Sequence, residues 1–342
     1  MIFKNKTVLI TGGTGTLGKE LVRRIMTGEF GIPKKVIVFS RDEDKHYQMK
    51  LEWKNMKVAT DDVFYHNFEE LLDFRIGDVR DFESINRSIK ESNIIIHAAA
   101  LKQVPICEYF PHESVKTNLL GAQNIVRSII ENENCAETVV AVSSDKACKP
   151  VNVYGMCKAI QERLVVEANI RCTNTKFICA RYGNVVASRG SVIPLFQEQI
   201  RNGGPVTITV KDMTRFWLTL GQATDIIFDA IHSGEAGDTY VPDLQSFNLM
   251  DLAEIMIGDR NIDIQIIGIR PGEKIHELLI SEEEISRTIK KGDYYVIRPI
   301  LPELRPKEVI KPLLNKELSS SELTLTKNDL KNFLEKEGLL NY

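Results

Sequence analysis

No run of about 18 apolar residues occurs anywhere in the 342-residue chain, so nothing in it reads as a membrane-spanning helix. Met1 to Thr7 carries no apolar leader and runs straight into a strand. Paired cysteines are missing too. The six cysteines (107, 135, 148, 157, 172 and 179) form no Cys-x-x-Cys, and none is spaced with a histidine as metal ligands are, so buried reduced thiols and no metal are expected. Charge of one sign is also lacking: 44 Lys and Arg against 47 Asp and Glu give a net charge of -3, without the basic excess of a nucleic-acid or polybasic membrane binder. There is no internal repeat and no low-complexity linker. What remains is a chain 43% hydrophobic and 27% charged, expected to be cytoplasmic and long enough to bury one large α/β domain or two coupled ones.

The densest chemistry lies between Val139 and Lys158. An apolar β-rich run, Thr138 to Val142, ends in Ser143, Ser144, Asp145 and Lys146. Two hydroxyls, a carboxylate and an amine therefore leave the tip of a buried strand, which is where open α/β sheets hold ligands. Tyr154 and Lys158 follow at i and i+4, one above the other on a helix face. A cation beside a phenol favours phenolate, so the pair predicts a base for a substrate hydroxyl. Chance also produces Tyr-x-x-x-Lys on solvated helices, and the surroundings must give it meaning.

Those surroundings begin at Thr7 to Thr11, a short apolar run followed by Gly12-Gly-Thr14-Gly15-Thr16-Leu17-Gly18 and a helical period from Lys19 to Met26. Strand, glycine turn and helix predict a dinucleotide site with pyrophosphate on the free N–H groups; a plain tight turn is the alternative. The second strand, Lys35 to Phe39, ends in Ser40 and Arg41, with Asp42 and Lys45 just beyond. No ribose-holding acid stands at that tip, so Ser40, Arg41 and Lys45 predict a 2′-phosphate and hence NADP, while Asp42 keeps NAD open. Residues 56–72 read as a loop insertion without a role. The next strand ends in Asp78 and Val79, suited to an adenine amine and ring, with Asp81 the better N-cap for the following helix. At the tip of strand four, Ala98 and Ala100 would let a flat cofactor approach the backbone, and Lys102 could meet a phosphate or simply be solvated. Ser114 to Glu131 reads as one long helix whose Asn118 either joins the site or ties the helix to that tip.

Lys176 to Arg181 predicts strand six, and Tyr182 to Pro194 a polar loop covering a substrate, with a helix on to Ile200. Beyond it the alternation weakens into short strands and helices fit for a smaller lobe, and Thr326 caps an amphipathic helix carrying Leu330, Phe333 and Leu334. Arg189, Arg215 and Arg270 could bring guanidinium forks to a diphosphate, or serve the surface. The expected fold is α/β: a Rossmann-type doubly wound parallel sheet with a smaller C-terminal α/β substrate lobe. Residues 1–185 would form the NADP-binding domain, with later segments returning to it, 186–314 mainly the substrate lobe, and 315–342 a tail.

With these residues assembled, the sequence resembles the extended short-chain dehydrogenase/reductases, and within them the bacterial UDP-N-acetylglucosamine 4,6-dehydratases of pseudaminic acid and capsular sugar pathways. The blocks that carry this are Thr11–Gly18, Phe39–Glu43, Ile76–Asp81, His97–Lys102, Ser144–Ala147, Tyr154-Gly-x-x-Lys158, Arg181–Asn184, Ser188–Ser191, Met213–Phe216 and Arg270–Lys274. The Asp-Lys pair ahead of the tyrosine sets the pattern apart from related 4-epimerases, and Ser144 stands where threonine is frequent. The resemblance implies NADP held by Gly12, Thr14, Gly15, Thr16, Leu17, Gly18, Ser40, Arg41, Lys45, Asp78, Val79, Ala98, Ala100, Asn118, Tyr154 and Lys158. It implies a UDP-sugar on Lys102, Ser144, Asn184, Ser191, Val192, Pro194, Thr214, Arg215, Arg270 and Glu273, and a homo-oligomer, dimer to hexamer.

The implied chemistry assigns Tyr154, assisted by Lys158, to the sugar 4-hydroxyl proton, Lys146 to the C5 proton and Asp145 to the departing 6-hydroxyl; inversion at C5 is expected, and retention would use the same pair of groups. Lys146 must then be neutral, and nearby cations and burial are expected to lower its pKa. An NAD(P)-dependent 4-epimerase is the alternative, and a non-catalytic NADP-binding regulatory module the second.

Overall fold

Six strands end in the residues singled out above, and the chain folds so that they lie side by side. They are β1 (Thr7–Thr11), β2 (Lys35–Ser40), β3 (Leu72–Ile76), β4 (Ile94–His97), β5 (Thr138–Val142) and β6 (Lys176–Ala180). The computed structural model describes residues 1–55, 70–133, 135–186, 191–305 and 313–340; most of the insertion expected at 56–72 lies outside them. The later strands are β7 (Asn184–Val185), β8 (Val206–Ile208), β9 (Thr214–Leu218), β10 (Thr239–Pro242), β11 (Ser246–Asn248), β12 (Ile264–Ile266), β13 (Leu278–Ile280), β14 (Thr288–Lys291), β15 (Tyr294–Ile297) and β16 (Leu318–Ser319).

Among the described residues, nine strands form one sheet in the order β14-β15-β10-β6-β5-β4-β1-β2-β3. β3 to β10 across that order pair in parallel, and β15 and β14 add an antiparallel hairpin at one edge. The strand order reverses between β1 and β4, which opens a crevice at their carboxyl ends, the usual ligand position in a doubly wound sheet.

Alternation along these strands explains their apolar composition. Val8, Ile10, Val38, Ile96, Val140 and Ile178 meet one layer, with Leu21, Ile25 and Ile227 over them. Their chain neighbours Leu9, Ile37, Ile95, Val139 and Phe177 meet the other, beneath Ile85, Ile125, Ile129 and Val165. Both sets are buried, so the strands read as continuous apolar runs, each full side-chain burial contributing about 1.5–3 kcal/mol. A third core holds Ile193, Phe196, Trp217, Phe247, Leu252, Met256, Leu330 and Leu334. Around it lie the small sheets β11-β9-β7 and β12-β8, while β13-β16 puts Leu279, Ile280 and Leu318 into the first core.

The expected single helix from Ser114 to Glu131 is three pieces: an α-turn at Pro111–Ser114, a π-helix at Val115–Leu120 and an α-helix at Gly121–Glu131. Wider π-turns re-aim side chains inside otherwise regular helices and are frequent at functional sites. Here the widened turn carries Asn118.

Candidate active site

The tips of the sheet open into a cleft of about 1370 Å³ shared by the sheet and the smaller lobe. At the β1 end, the turn after Thr11 needs a residue at φ +69 whose Cβ would lie 2.9 Å from Ala99 Cα; only glycine satisfies both, and Gly12 stands there. The close approach joins the β1 and β4 tips. Helix Thr16–Met26 starts at Gly15 with no side-chain cap, so its first N–H groups remain available for phosphate. That cradle fits a dinucleotide. At the β2 tip the Ser40 and Thr14 hydroxyls bond each other at 2.8 Å. The acid that kept NAD open, Asp42, is taken up by the side chain and N–H of Lys45, and the Lys45 ammonium holds its pKa down. Arg41 lies 3.6 Å from Asp78 with half its side chain exposed.

The reactive end is built on β5. Immediately after this strand, Ser144 caps a 3-10 turn, Asp145–Ala147, its Oγ accepting from the Lys146 N–H at 3.2 Å and donating to Asp145 Oδ1 at 2.8 Å. Helix Val153–Arg171 opens on Asn152, whose Oδ1 accepts from the Gly155 N–H at 2.7 Å. A Cβ at Gly155 would sit 2.2 Å from the Lys146 carbonyl oxygen. The missing side chain therefore lets the first helical turn lie on the 3-10 turn, and Tyr154 reaches the same wall as Asp145 and Lys146.

Electrostatics at this end differ from expectation. Burial works against the Lys146 ammonium, but Asp145 (3.0 Å) and Glu277 (3.4 Å) outweigh it and raise its pKa; the cations expected to lower it are overridden by carboxylates. Tyr154 is pushed up to about 12 by burial, with Lys146 and the Ser144 hydroxyl opposing. Lys146 is thus a cation acting on the phenol, and the Lys158 ammonium donates to the Val142 carbonyl (2.8 Å) and to Gln161 Oε1 (2.9 Å). Burial lowers Lys158 to about 8.

Most of the expected residues line the cleft, among them Thr16, Leu17, Gly18, Lys45, Val79, Ala98, Ala100, Lys102, Val192, Arg215, Arg270 and Glu273. Four do not. Asp78 accepts from Arg80 Nε at 2.7 Å and lies off the cleft wall. Asn118, fully buried, accepts from the Leu101 N–H (2.8 Å) and donates to the Leu101 carbonyl (2.9 Å), so it shapes the loop after β4 from behind. Thr214 is spent on His276 Nδ1 and Ser320 Oγ, and Pro194 lies off the wall within helix Val192–Arg201. Arg189 falls outside the described residues. Glu277 was missed, although it precedes the apolar run Leu278–Ile280, where a carboxylate at a buried strand's start is a signal.

Among the described residues, eight buried side-chain polar atoms lack a hydrogen-bond partner, and five belong to cleft residues: Thr117, Asp145, Asn184, Ser191 and Glu277. Buried polar atoms are otherwise paired, so this concentration marks a place for a polar ligand.

Residues 8–299 match the family described as polysaccharide biosynthesis protein. The chain belongs to that family. A UDP-N-acetylglucosamine 4,6-dehydratase (inverting) of Campylobacter jejuni is 39% identical over 87% of this chain and 84% of its own. A UDP-glucose 4-epimerase of Rickettsia canadensis is 40% identical over 86% and 84%. A protein of Methanocaldococcus jannaschii named an uncharacterized membrane protein is 40% identical over 87% of each chain; here, no helix among the described residues is long and apolar enough to cross a membrane. The X-ray structure of Pen from Bacillus thuringiensis superposes with a TM-score of 0.87 at 33% identity, covering 98% of this chain and 99% of that one. Curated relatives of this chain thus carry the names of nucleotide-sugar dehydratases and epimerases.

Proposed function

We propose that the protein is an NADP-dependent UDP-N-acetylglucosamine 4,6-dehydratase that inverts C5. The observation that carries this reading is the Asp145–Lys146 pair at the β5 tip, lining the same cleft as Tyr154. A 4-epimerase has only C4 to oxidise and reduce, and needs no second acid–base pair beside the tyrosine. The relatives named above divide between the two activities, and this pair favours dehydration.

The glycine turn and the uncapped helix would hold the cofactor's pyrophosphate, with Ser40, Arg41 and Lys45 toward a 2′-phosphate. Asp42 being tied to Lys45 supports NADP over NAD. When bound, the cofactor supplies a hydride acceptor at C4 and later a hydride donor at C6. Tyr154 takes the proton of the 4-hydroxyl. The 4-ketone acidifies C5–H, Lys146 as the amine takes that proton, and Asp145 protonates the 6-hydroxyl, which leaves as water. Lys102, Arg215 and Arg270 supply positive charge along the cleft for the UDP diphosphate. Exposed apolar side chains at Tyr109, Phe110, Met156 and Ile160 support association of copies into a homo-oligomer.

Incubation with UDP-N-acetylglucosamine and NADP in deuterated water, read by proton NMR, tests the reading. The expected product is a 4-keto-6-deoxy sugar with inverted C5 carrying deuterium. UDP-N-acetylgalactosamine with an unlabelled C5 would instead establish an epimerase.

A further inference from the structure

Lys146 is held by two carboxylates, and only one of them belongs to its own turn. Glu277 arrives from the segment just before β13, is 2% exposed and lines the cleft. Its backbone is fixed at both ends by one residue: Glu277 N–H donates to Ser320 Oγ (2.9 Å) and the Ser320 N–H donates to the Glu277 carbonyl (2.9 Å). Ser320 Oγ is in turn bonded to Thr214 Oγ1 at 2.7 Å. With its backbone so fixed, Glu277 presents Oε1 3.4 Å from the Lys146 amine and leaves Oε2 without a hydrogen-bond partner in the cleft.

We propose that Glu277 is a positioning residue for the C5 proton transfer, holding the Lys146 amine at the cleft wall as a second carboxylate beside Asp145. This rests on the dehydratase reading. The proton balance shows why a second carboxylate matters. Lys146 ammonium passes a proton to Asp145, giving an amine and a carboxylic acid together. The amine takes the C5 proton as the C6–O bond breaks, and the acid's proton leaves with the 6-hydroxyl as water, so the pair returns to ammonium and carboxylate. Once Lys146 is a neutral amine and Asp145 a neutral acid, no charge pair joins them; Glu277, still a carboxylate 3.4 Å away, can accept an amine N–H and attracts the ammonium as it re-forms. The other groups facing Lys146 are Arg215 and Lys102, which repel it, and Tyr154, while Lys274 stands 3.9 Å from Glu277 Oε2.

The test compares full-length wild type, E277Q and E277D by two measurements. Competitive acetylation of Lys146 against pH, read by peptide mass spectrometry, reports its ionisation without turnover. Deuterium entry at C5 of UDP-N-acetylglucosamine, followed from about pH 6 to pH 10, reports the proton transfer. E277Q should move the half-labelling pH of Lys146 down by about 1 unit or more. It should also shift the rising limb of C5 exchange to lower pH and cut its plateau by about 10–100-fold through misplacement, with KM within about twofold. E277D, which keeps the charge, should restore the labelling pH. Unchanged labelling in E277Q would overturn the proposal, as would an unchanged plateau and limb. If the wild type makes no keto-deoxy product, the dehydratase reading fails by itself, and the labelling arm still decides whether Glu277 governs Lys146.

Discussion

Tyr154 illustrates what one residue carries and how far sequence reveals it. Its pairing with Lys158 at i and i+4 is local and could be read directly, but burial and the approach of Lys146 are set by the fold. Tyr154→Phe should lower kcat by about 10²–10⁴-fold while dinucleotide binding, followed by fluorescence titration, persists. In the cofactor-free protein the phenol at about 12 stays protonated at neutral pH, so the difference in 295 nm absorbance between wild type and Y154F should show no ionisation below about pH 11. A bound positive nicotinamide should bring that onset down, since an opposite charge favours phenolate. Lys146 was readable as a reactive amine from its place after β5. Its ionisation was not, because Glu277 comes from a distant segment that sequence spacing cannot bring near.

At the scale of elements, the contact between the 3-10 turn and helix Val153–Arg171 positions the reactive groups, and Gly155 makes it possible. Gly155→Ala must move the Lys146 carbonyl away, at a cost of about 1–3 kcal/mol in urea unfolding and a fall in turnover larger than any change in cofactor affinity. A second joint ties β6 to the helix Glu282–Ile285, where Arg181, 3% exposed, meets Glu162 and Glu284 at 2.6 and 2.7 Å. Arg181→Met would strand two buried carboxylates and should cost about 3–5 kcal/mol. Burial alone would raise Glu284, but Arg181 draws it down to about 2, so this stabilisation is full above the unfolded value near 4.5 and is lost as pH falls toward 2. The acid unfolding midpoint, followed by circular dichroism, should accordingly lie at higher pH in R181M. Strands β1, β2, β4, β5 and β6 were legible because burial on both faces leaves nearly unbroken apolar runs, whereas β3 at the edge alternates as Leu-Asp-Phe-Arg-Ile. The π-turn at Val115–Leu120 was not, since its composition continues that of the helix it interrupts.

Across the whole molecule, the segment after 313 binds the two halves of the site together. β16 pairs with β13, and the helix Lys327–Lys336 puts Leu330 and Leu334 into the third core. The capped amphipathic helix could be read from Thr326 onward, and it docks on the body of its own chain. The hairpin β14-β15 escaped notice, because the mixed sequence Thr288–Lys291 gives no clean alternation at an edge strand. Leu334→Ala should cost about 2–5 kcal/mol in chemical denaturation, in line with other emptied core positions. Ser320 is one of these links: it bonds the Glu277 backbone at both N–H and carbonyl, bonds Thr214 Oγ1, and its carbonyl accepts from the Ser246 hydroxyl. Glu277, Thr214 and Ser246 are all translated before it. A nascent chain therefore carries its whole glycine turn and the Asp145–Lys146 pair before the residue that anchors Glu277 exists, so that side of the cleft is completed only once residue 320 has emerged.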